Sequence, residues 1–374
     1  MTTTKSKSVI LVFGDLTTGR QYTELIKLLL EERQRIIVVY VGQQDANFYL
    51  DLRQLLIFYK FDLYCKPSRL SCLLTIIFSL RQKPYSFFVS GWSTAKLFIP
   101  LAKLFNVKKI VYVRHHGNIH YLRSTKLLSR MKGLFFDALL QLIATNIVAV
   151  SLNHANLILS ETCNKSKIFV IPNSYENSLA LRSKQIATYQ ERLTEGLPYT
   201  IGIVARITDW KGVHIAVQAI SELSKNYKNL ALALVGKRLD SWDEVHKLLL
   251  ESPHLDWKHF EYLGDMRNFY DSVHCIVHTP LGKDTESFGL VYVESMLSSL
   301  PLVATLSGVL IDNANFDEFI YVVKDYNDSN SVYLALEELL TSDSPKILSP
   351  AAKIELEIKY SLTRICSLYR DLLV

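Results

Sequence analysis

Two carboxylates, Glu286 and Glu294, bracket the segment Ser287-Phe288-Gly289-Leu290. Upstream, residues 275–278 read as a short buried strand. Downstream, 296–300 complete a helix that Pro301 stops, because proline disfavours helical geometry in the residue before it. One glutamate therefore sits at a strand-to-helix turn and the other about two turns into the helix. Backbone N–H groups at a helix start have no intrahelical partner and attract an anion. A carboxylate beside such an end suits a ligand that carries both hydroxyls and phosphates, such as a nucleotide sugar.

A second group of polar residues follows strand 200–205. Arg206 and Lys211 put two cations on one loop ahead of a helix at 212–225. Arginine forks onto phosphate oxygens, and lysine acts as a point charge. Gly236 ends strand 230–235, where the chain must turn. His115 and His116, followed by His120, come after strand 110–113. Histidines so close raise the question of a metal, but no carboxylate stands among them and Gly117 breaks a helix, so no metal site is expected. Gly14 follows the first strand in a loop that lacks the G-x-G-x-x-G pattern of dinucleotide binding. Residues 122–136 mix Arg123, Lys126, Arg130 and Lys132 with apolar residues, a composition compatible with an anionic membrane surface or with domain packing.

The elements that position these residues alternate regularly. In the first half, 9–13, 36–41, 86–90, 110–113, 147–150 and 168–171 are short and almost continuously apolar, as buried parallel strands are. Helical stretches such as 22–32 and 93–105 lie between them. The second half repeats the pattern with strands at 200–205, 230–235, 260–263, 275–278 and 302–305, and helices at 212–225, 243–250 and 288–299. Such alternation predicts α/β architecture with two Rossmann-like, doubly wound parallel sheets. The linker is expected near 194–198, where Gly196 and Pro198 interrupt both periodicities. This gives domains at 1–194 and 195–353, with a ligand cleft between them.

The chain of 374 residues is 49% hydrophobic and 21% charged, which is globular. Its five cysteines are scattered and read as reduced thiols. The polar start predicts no secretory leader, and no apolar run is long enough to span a bilayer, so a cytoplasmic protein is expected. Residues 1–194 hold 26 Lys and Arg against 11 Asp and Glu, whereas 195–374 hold 16 against 25. The basic half should attract an anionic partner. No nucleic-acid recognition motif accompanies it, so nucleic acid is not expected.

The stretch from Glu286 to Met296 resembles the E-x-F-G-L-x-x-x-E-A-M signature of retaining GT-B glycosyltransferases of the family 4 type, with Ser295 in place of Ala. Residues 205–212 resemble the family's G-R-x-x-x-x-K-G motif, with Ala205 in place of Gly. Residues 305–312 resemble its T-x-x-G-G-x-x-E loop, with Val309 for the second Gly and Asp312 for Glu, and Leu300 replaces a further Gly before Pro301. The resemblance implies a retaining transferase that moves a sugar from a nucleotide-sugar donor to an acceptor hydroxyl, in cell-surface glycan or glycolipid assembly. It implies that Arg206 and Lys211 hold the donor diphosphate without a metal ion or other cofactor. Glu286 would bind sugar hydroxyls, Glu294 the ribose, and Ser287, Phe288, Gly289, Leu290 and Gly236 would lie along the donor. His115 or His116 would stand near the reacting carbon, Gly14 would line an acceptor-side loop, and the helical stretch 354–374 would return to the first domain. The acceptor would be a glycan or a lipid-linked molecule, and the basic charge of residues 1–194 suggests peripheral contact at the inner face of an anionic membrane. A nucleotide-sugar epimerase and a non-catalytic glycan- or nucleotide-binding protein share the same architecture.

Overall fold

The computed structural model describes residues 7–14, 20–43, 47–68, 70–115, 127–161, 167–175, 187–312 and 318–374. The chain forms two compact units, Met1–Ser174 with Tyr360–Val374, and Tyr175–Lys359.

The first unit is built on a seven-stranded parallel sheet. Its strands are β1 (Ser8–Phe13), β2 (Arg35–Val41), β3 (Asp62–Lys66), β4 (Ser86–Ser90), β5 (Lys109–Arg114), β6 (Asn146–Ala149) and β7 (Ile168–Val170), in the order β3-β2-β1-β4-β5-β6-β7. Successive side chains alternate between faces. Ile10, Val12, Val89 and Tyr112 point to one face and meet Ile76, Phe98, Leu140 and Ile158 from the helices there. Phe13 and Phe88 point to the other face. They meet Tyr22 of helix Arg20–Glu31, and Phe88 also meets Tyr369 of helix Leu362–Leu373. Burying each such ring contributes about 1.5–3 kcal/mol, so the last helix is an integral layer of this unit.

The second unit carries β8 (Tyr199–Val204), β9 (Leu230–Val235), β10 (Asp256–Phe260), β11 (Cys275–His278), β12 (Leu302–Thr305) and β13 (Tyr321–Val323), all parallel, in the order β10-β9-β8-β11-β12-β13. Ile201, Ile203, Leu232 and Val277 pack with Val217, Ile220 and Leu223 of helix Val213–Asn226 and with Leu336 of helix Ser329–Leu340. Both sheets are therefore the parallel, doubly wound type that the βα alternation predicts.

Differences from the sequence reading fall at sheet edges. β3 and β13 are additional strands, and β10 occupies Asp256–Phe260 rather than 260–263. β10 alternates exposed and partly covered residues, so a search for continuous apolar runs passes over it. The stretch from 354 to 373 is not one helix, because Ser361 is extended (ψ 143°) between Pro350–Lys359 and Leu362–Leu373. The short helix Tyr189–Thr194 counts with the second unit. Thr188 and Glu191 close its start in a reciprocal capping box, and Tyr189 packs on Tyr199 and Tyr227.

Candidate functional site

In the second sheet the strand order reverses between β8 and β11. The loops that leave the carboxyl ends of two such strands diverge, and the crevice between them is where open α/β sheets bind ligands. The loop after β8 holds Arg206 and Lys211, and the loop after β11 holds Glu286. Thr279 Oγ1 donates to the Gly212 carbonyl at 3.2 Å, and Leu281 N donates to the Trp210 carbonyl at 3.1 Å. These bonds fasten the two loops together. Gly212 is left-handed (φ 65°), and a Cβ there would lie 2.0 Å from the Thr279 carbonyl oxygen, so the close approach requires glycine. Gly236 closes β9 against the same loop.

Glu286 is the centre of this arrangement. Its Oε2 pairs with Lys211 Nζ and lies 3.3 Å from His278 Nε2. Burial disfavours the carboxylate charge, but the Lys211 ammonium and the His278 bond outweigh it and lower the pKa to about 2. Burial lowers the His278 pKa, so the imidazole is neutral near pH 7 and its Nε2–H donates to Glu286. The His278 ring meets Tyr292 edge to face at 4.9 Å, and the Tyr292 hydroxyl lies 2.6 Å from Ser307 Oγ. His278 is a site residue that sequence reasoning missed. Its one sequence signal is a polar residue closing an otherwise apolar strand.

Arg206 is exposed, and its guanidinium stands 5.5 Å from the Trp210 ring; Lys211 lies 4.5 Å from the same ring. Among the described residues Arg206 has no carboxylate partner within ion-pair distance. Trp210, also not anticipated from the sequence, provides an aromatic surface beside both cations.

Ser287 and Phe288 form the turn into helix Leu290–Leu297, which Gly289 opens from a left-handed conformation (φ 81°) with no side-chain cap. The carbonyl of Phe288 accepts from Val309 N at 2.9 Å. Leu290 is the first helical residue, and Glu294 sits one turn further on, where its Oε2 accepts from the Tyr270 hydroxyl at 2.7 Å. Three departures from the family pattern have local explanations. Ser295 is buried and returns its hydroxyl to the Val291 carbonyl at 2.6 Å. The left-handed residue of the following turn is Ser299 (φ 56°), not Leu300. Gly308 (φ 54°) supplies the left-handed step of the next loop, so Val309 needs no special conformation.

The first sheet reverses its order between β1 and β4. Gly14 N donates to the Ser90 carbonyl at 3.3 Å, and Ser90 Oγ lies 3.0 Å from His115 Nε2 and 3.3 Å from the Tyr22 hydroxyl. Burial lowers the His115 pKa to about 4, so its ring is neutral near pH 7. Ser90, not anticipated from the sequence, joins Gly14 and His115 at this second crevice. His116, Arg123, Lys126 and residues 15–19 lie outside the described residues.

Residues 187–354 match the family described as Glycosyl transferases group 1. The capsular polysaccharide biosynthesis glycosyltransferase CapM of Staphylococcus aureus is 25% identical over 212 residues, which cover 54% of this chain and 53% of CapM. An uncharacterized glycosyltransferase of Methanocaldococcus jannaschii is 25% identical over 193 residues, 49% of this chain and 52% of its own. The chain thus spans about half the length of the curated relatives it matches. In three dimensions it is similar to HepE of Anabaena solved with UDP and glucose, with TM-score 0.73, 16% identity, and coverage of 97% of this chain and 98% of the other. It is also similar to a sucrose-phosphate synthase of Thermosynechococcus elongatus, with TM-score 0.72, 15% identity and coverage of 98% and 99%. These likenesses establish the GT-B fold.

Proposed function

We propose that this chain, which carries a glycosyl transferases group 1 domain on a GT-B fold, is a retaining glycosyltransferase that uses a nucleotide-sugar donor. The observation that carries the reading is the meeting of Arg206, Lys211 and Glu286 at the strand-order reversal of the second sheet. Two cations there face the position at which a departing diphosphate gains negative charge, and electrostatic stabilisation of that charge is usually the largest single contribution to such a reaction. The cations take the place of a metal ion in this reading. Glu286, held ionised, accepts hydrogen bonds from donor sugar hydroxyls. Glu294 accepts from ribose hydroxyls, and the uncapped amides after Gly289 face the sugar or diphosphate. By the resemblance, His115 or His116 would act near the reacting carbon, and burial keeps His115 neutral.

HepE was solved with UDP and glucose, and CapM is named for capsular polysaccharide biosynthesis. The UDP and glucose bound to HepE favour a uridine-linked donor, and the name of CapM favours a glycan acceptor; a lipid-linked acceptor at the cytoplasmic face of an anionic membrane is part of the proposal. The test is a thermal-shift panel of nucleotide sugars, since a ligand that binds only the folded state raises its melting temperature. Transfer with the stabilising donor follows, with product anomers read by NMR. Stabilisation by one donor and a product of retained anomeric configuration support the reading. A change in donor stereochemistry with no acceptor present would instead identify an epimerase, and stabilisation by no nucleotide sugar would exclude both enzymes.

A further inference from the structure

Helix Leu127–Ile143 is inside out. A helix on the surface of a globular protein turns its apolar stripe inward and its polar residues to water. Here the buried side carries Gly133, Asp137 and Gln141 with Leu140. The exposed side carries Leu127, Leu128, Met131, Phe135 and Leu142, of which Leu127 and Leu142 are 69% and 75% exposed. These residues recur at helical spacing and form a stripe about 22 Å long. Surface residues of this size scattered singly need no explanation, whereas a contiguous stripe marks an interaction site.

The stretch of chain that carries the stripe has charge of nearly one sign. Between Asp62 and Glu161 the sequence holds thirteen lysines and arginines and a single acid, Asp137. That acid is withdrawn from the surface. Its Oδ2 lies 2.7 Å from the Arg114 guanidinium and accepts from Gln141 Nε2 at 2.9 Å, and both charged side chains are buried. Arg130 and Lys132 sit on the helix beside the apolar stripe. Helix Trp92–Leu104, which packs on it, and helix Leu73–Arg81, which packs on Trp92–Leu104, contain basic residues and no acidic ones. They expose Leu74, Phe78 and Leu104.

We propose that helix Leu127–Ile143 docks the first unit on an anionic lipid bilayer, with its apolar stripe in the acyl–headgroup boundary and its cations among the headgroups. The two features select this occupant together. A polyanion such as RNA would satisfy the cations and leave the stripe in water. A second copy of the chain would cover the stripe and bring like charges together. An anionic membrane surface takes both, and interfacial helices combine apolar burial with basic residues in this way.

The proposal is independent of the transferase chemistry, because it rests on the first unit alone. The test is flotation of the full chain with vesicles of phosphatidylcholine and with vesicles that also contain phosphatidylglycerol, over a salt series. Binding is expected only with phosphatidylglycerol and should weaken as salt rises. Arg130→Gln with Lys132→Gln should reduce it by about thirtyfold, the effect of losing two cations near an anionic surface. Met131→Asp with Phe135→Asp should abolish it, with the circular-dichroism spectrum and melting temperature of the parent. All four residues lie outside the nucleotide site, so donor-induced thermal stabilisation should be unchanged in both variants. Equal flotation with both vesicle types overturns the proposal, as does full binding by either double variant. RNA binding without vesicle binding, or a dimer that the aspartate variant dissociates and no vesicle binding, also overturns it.

Discussion

At the scale of single residues, the loop after β8 and Glu286 behave as one electrostatic unit. Removing one preorganised electrostatic stabiliser costs about a hundredfold or more in turnover, so Arg206→Ala and Lys211→Ala should each lose that much. Arg206 is exposed and lies on a loop, so its variant should melt within a few degrees of the parent, and steady-state kinetics with a calorimetric scan checks both halves. Lys211→Ala has a further consequence, because it removes the cation that holds Glu286 ionised. Breaking one partner of a partly buried pair leaves the other charge uncompensated, so this variant should also melt lower. The same pair fixes a pH dependence. The Glu286 carboxyl has its pKa lowered from 4.5 to about 2 by its neighbours, so the folded state binds fewer protons than the unfolded one in that interval. Its contribution to stability is present above pH 4.5 and is lost as pH falls toward 2. His115 has its pKa lowered from 6.5 to about 4, so its contribution is present above 6.5 and is lost as pH falls toward 4. Denaturation of Glu286→Gln and of His115→Asn across pH 2–8 should show each slope removed from its own window. An unchanged profile in either variant would contradict the assigned environment.

At the scale of elements, the parallel strands were legible because a strand buried on both faces must be apolar along its length. That requirement placed β4, β9, β11 and β12 at their observed bounds. Edge strands need not share it: β3 is only partly buried and β10 alternates exposed with partly covered residues, so β10 lay several residues from its expected place, whereas β13 is apolar and largely buried and was passed over although it carries the signal. The loop after β8 and the turn into helix Leu290–Leu297 were legible for a different reason. Charged residues and glycines at fixed spacing were visible against an apolar background. His278, Trp210 and Ser90 were not, because a lone histidine or serine closing a strand, or a lone tryptophan in a loop, has many uses. Their roles appear only when the sheet order brings two distant loops together. Gly212 shows how tightly the backbone holds this geometry. Its left-handed conformation and its contact with the Thr279 carbonyl leave no space for a methyl group, so Gly212→Ala should push apart the loops that carry Lys211 and Glu286. The expected outcome is a lower melting temperature and a loss of turnover comparable to that of Lys211→Ala. Parental kinetics in this variant would mean that the contact between the loops does not matter for catalysis.

At the scale of the whole molecule, sequence and structure divide in the same direction. The 1–194 segment has an excess of fifteen positive charges and 195–374 an excess of nine negative ones, from the counts 26 against 11 and 16 against 25. A doubly negative diphosphate would, on net charge alone, prefer the basic segment. The proposed donor site is nevertheless in the acidic one. In the proposed site local geometry outweighs net charge, because Arg206 and Lys211 would stand against the diphosphate, whereas charges beyond about 8 Å are largely screened at physiological salt. A single experiment distinguishes the two units. Hydrogen exchange with and without UDP should show protection at residues 205–212 and 286–294, with smaller changes along β8 and β11 behind them. The core strands β1 and β4 of the first unit should exchange as before. At a ligand concentration one hundred times Kd, a fully coupled segment gains about 2.7 kcal/mol of protection, well within what exchange resolves. Glu294→Ala should reduce UDP affinity and diminish the protection of both loops together, because they form the two walls of one crevice. Protection confined to the first unit, or unaltered affinity in Glu294→Ala, would move the nucleotide to another part of the chain and with it the assignment of both glutamates.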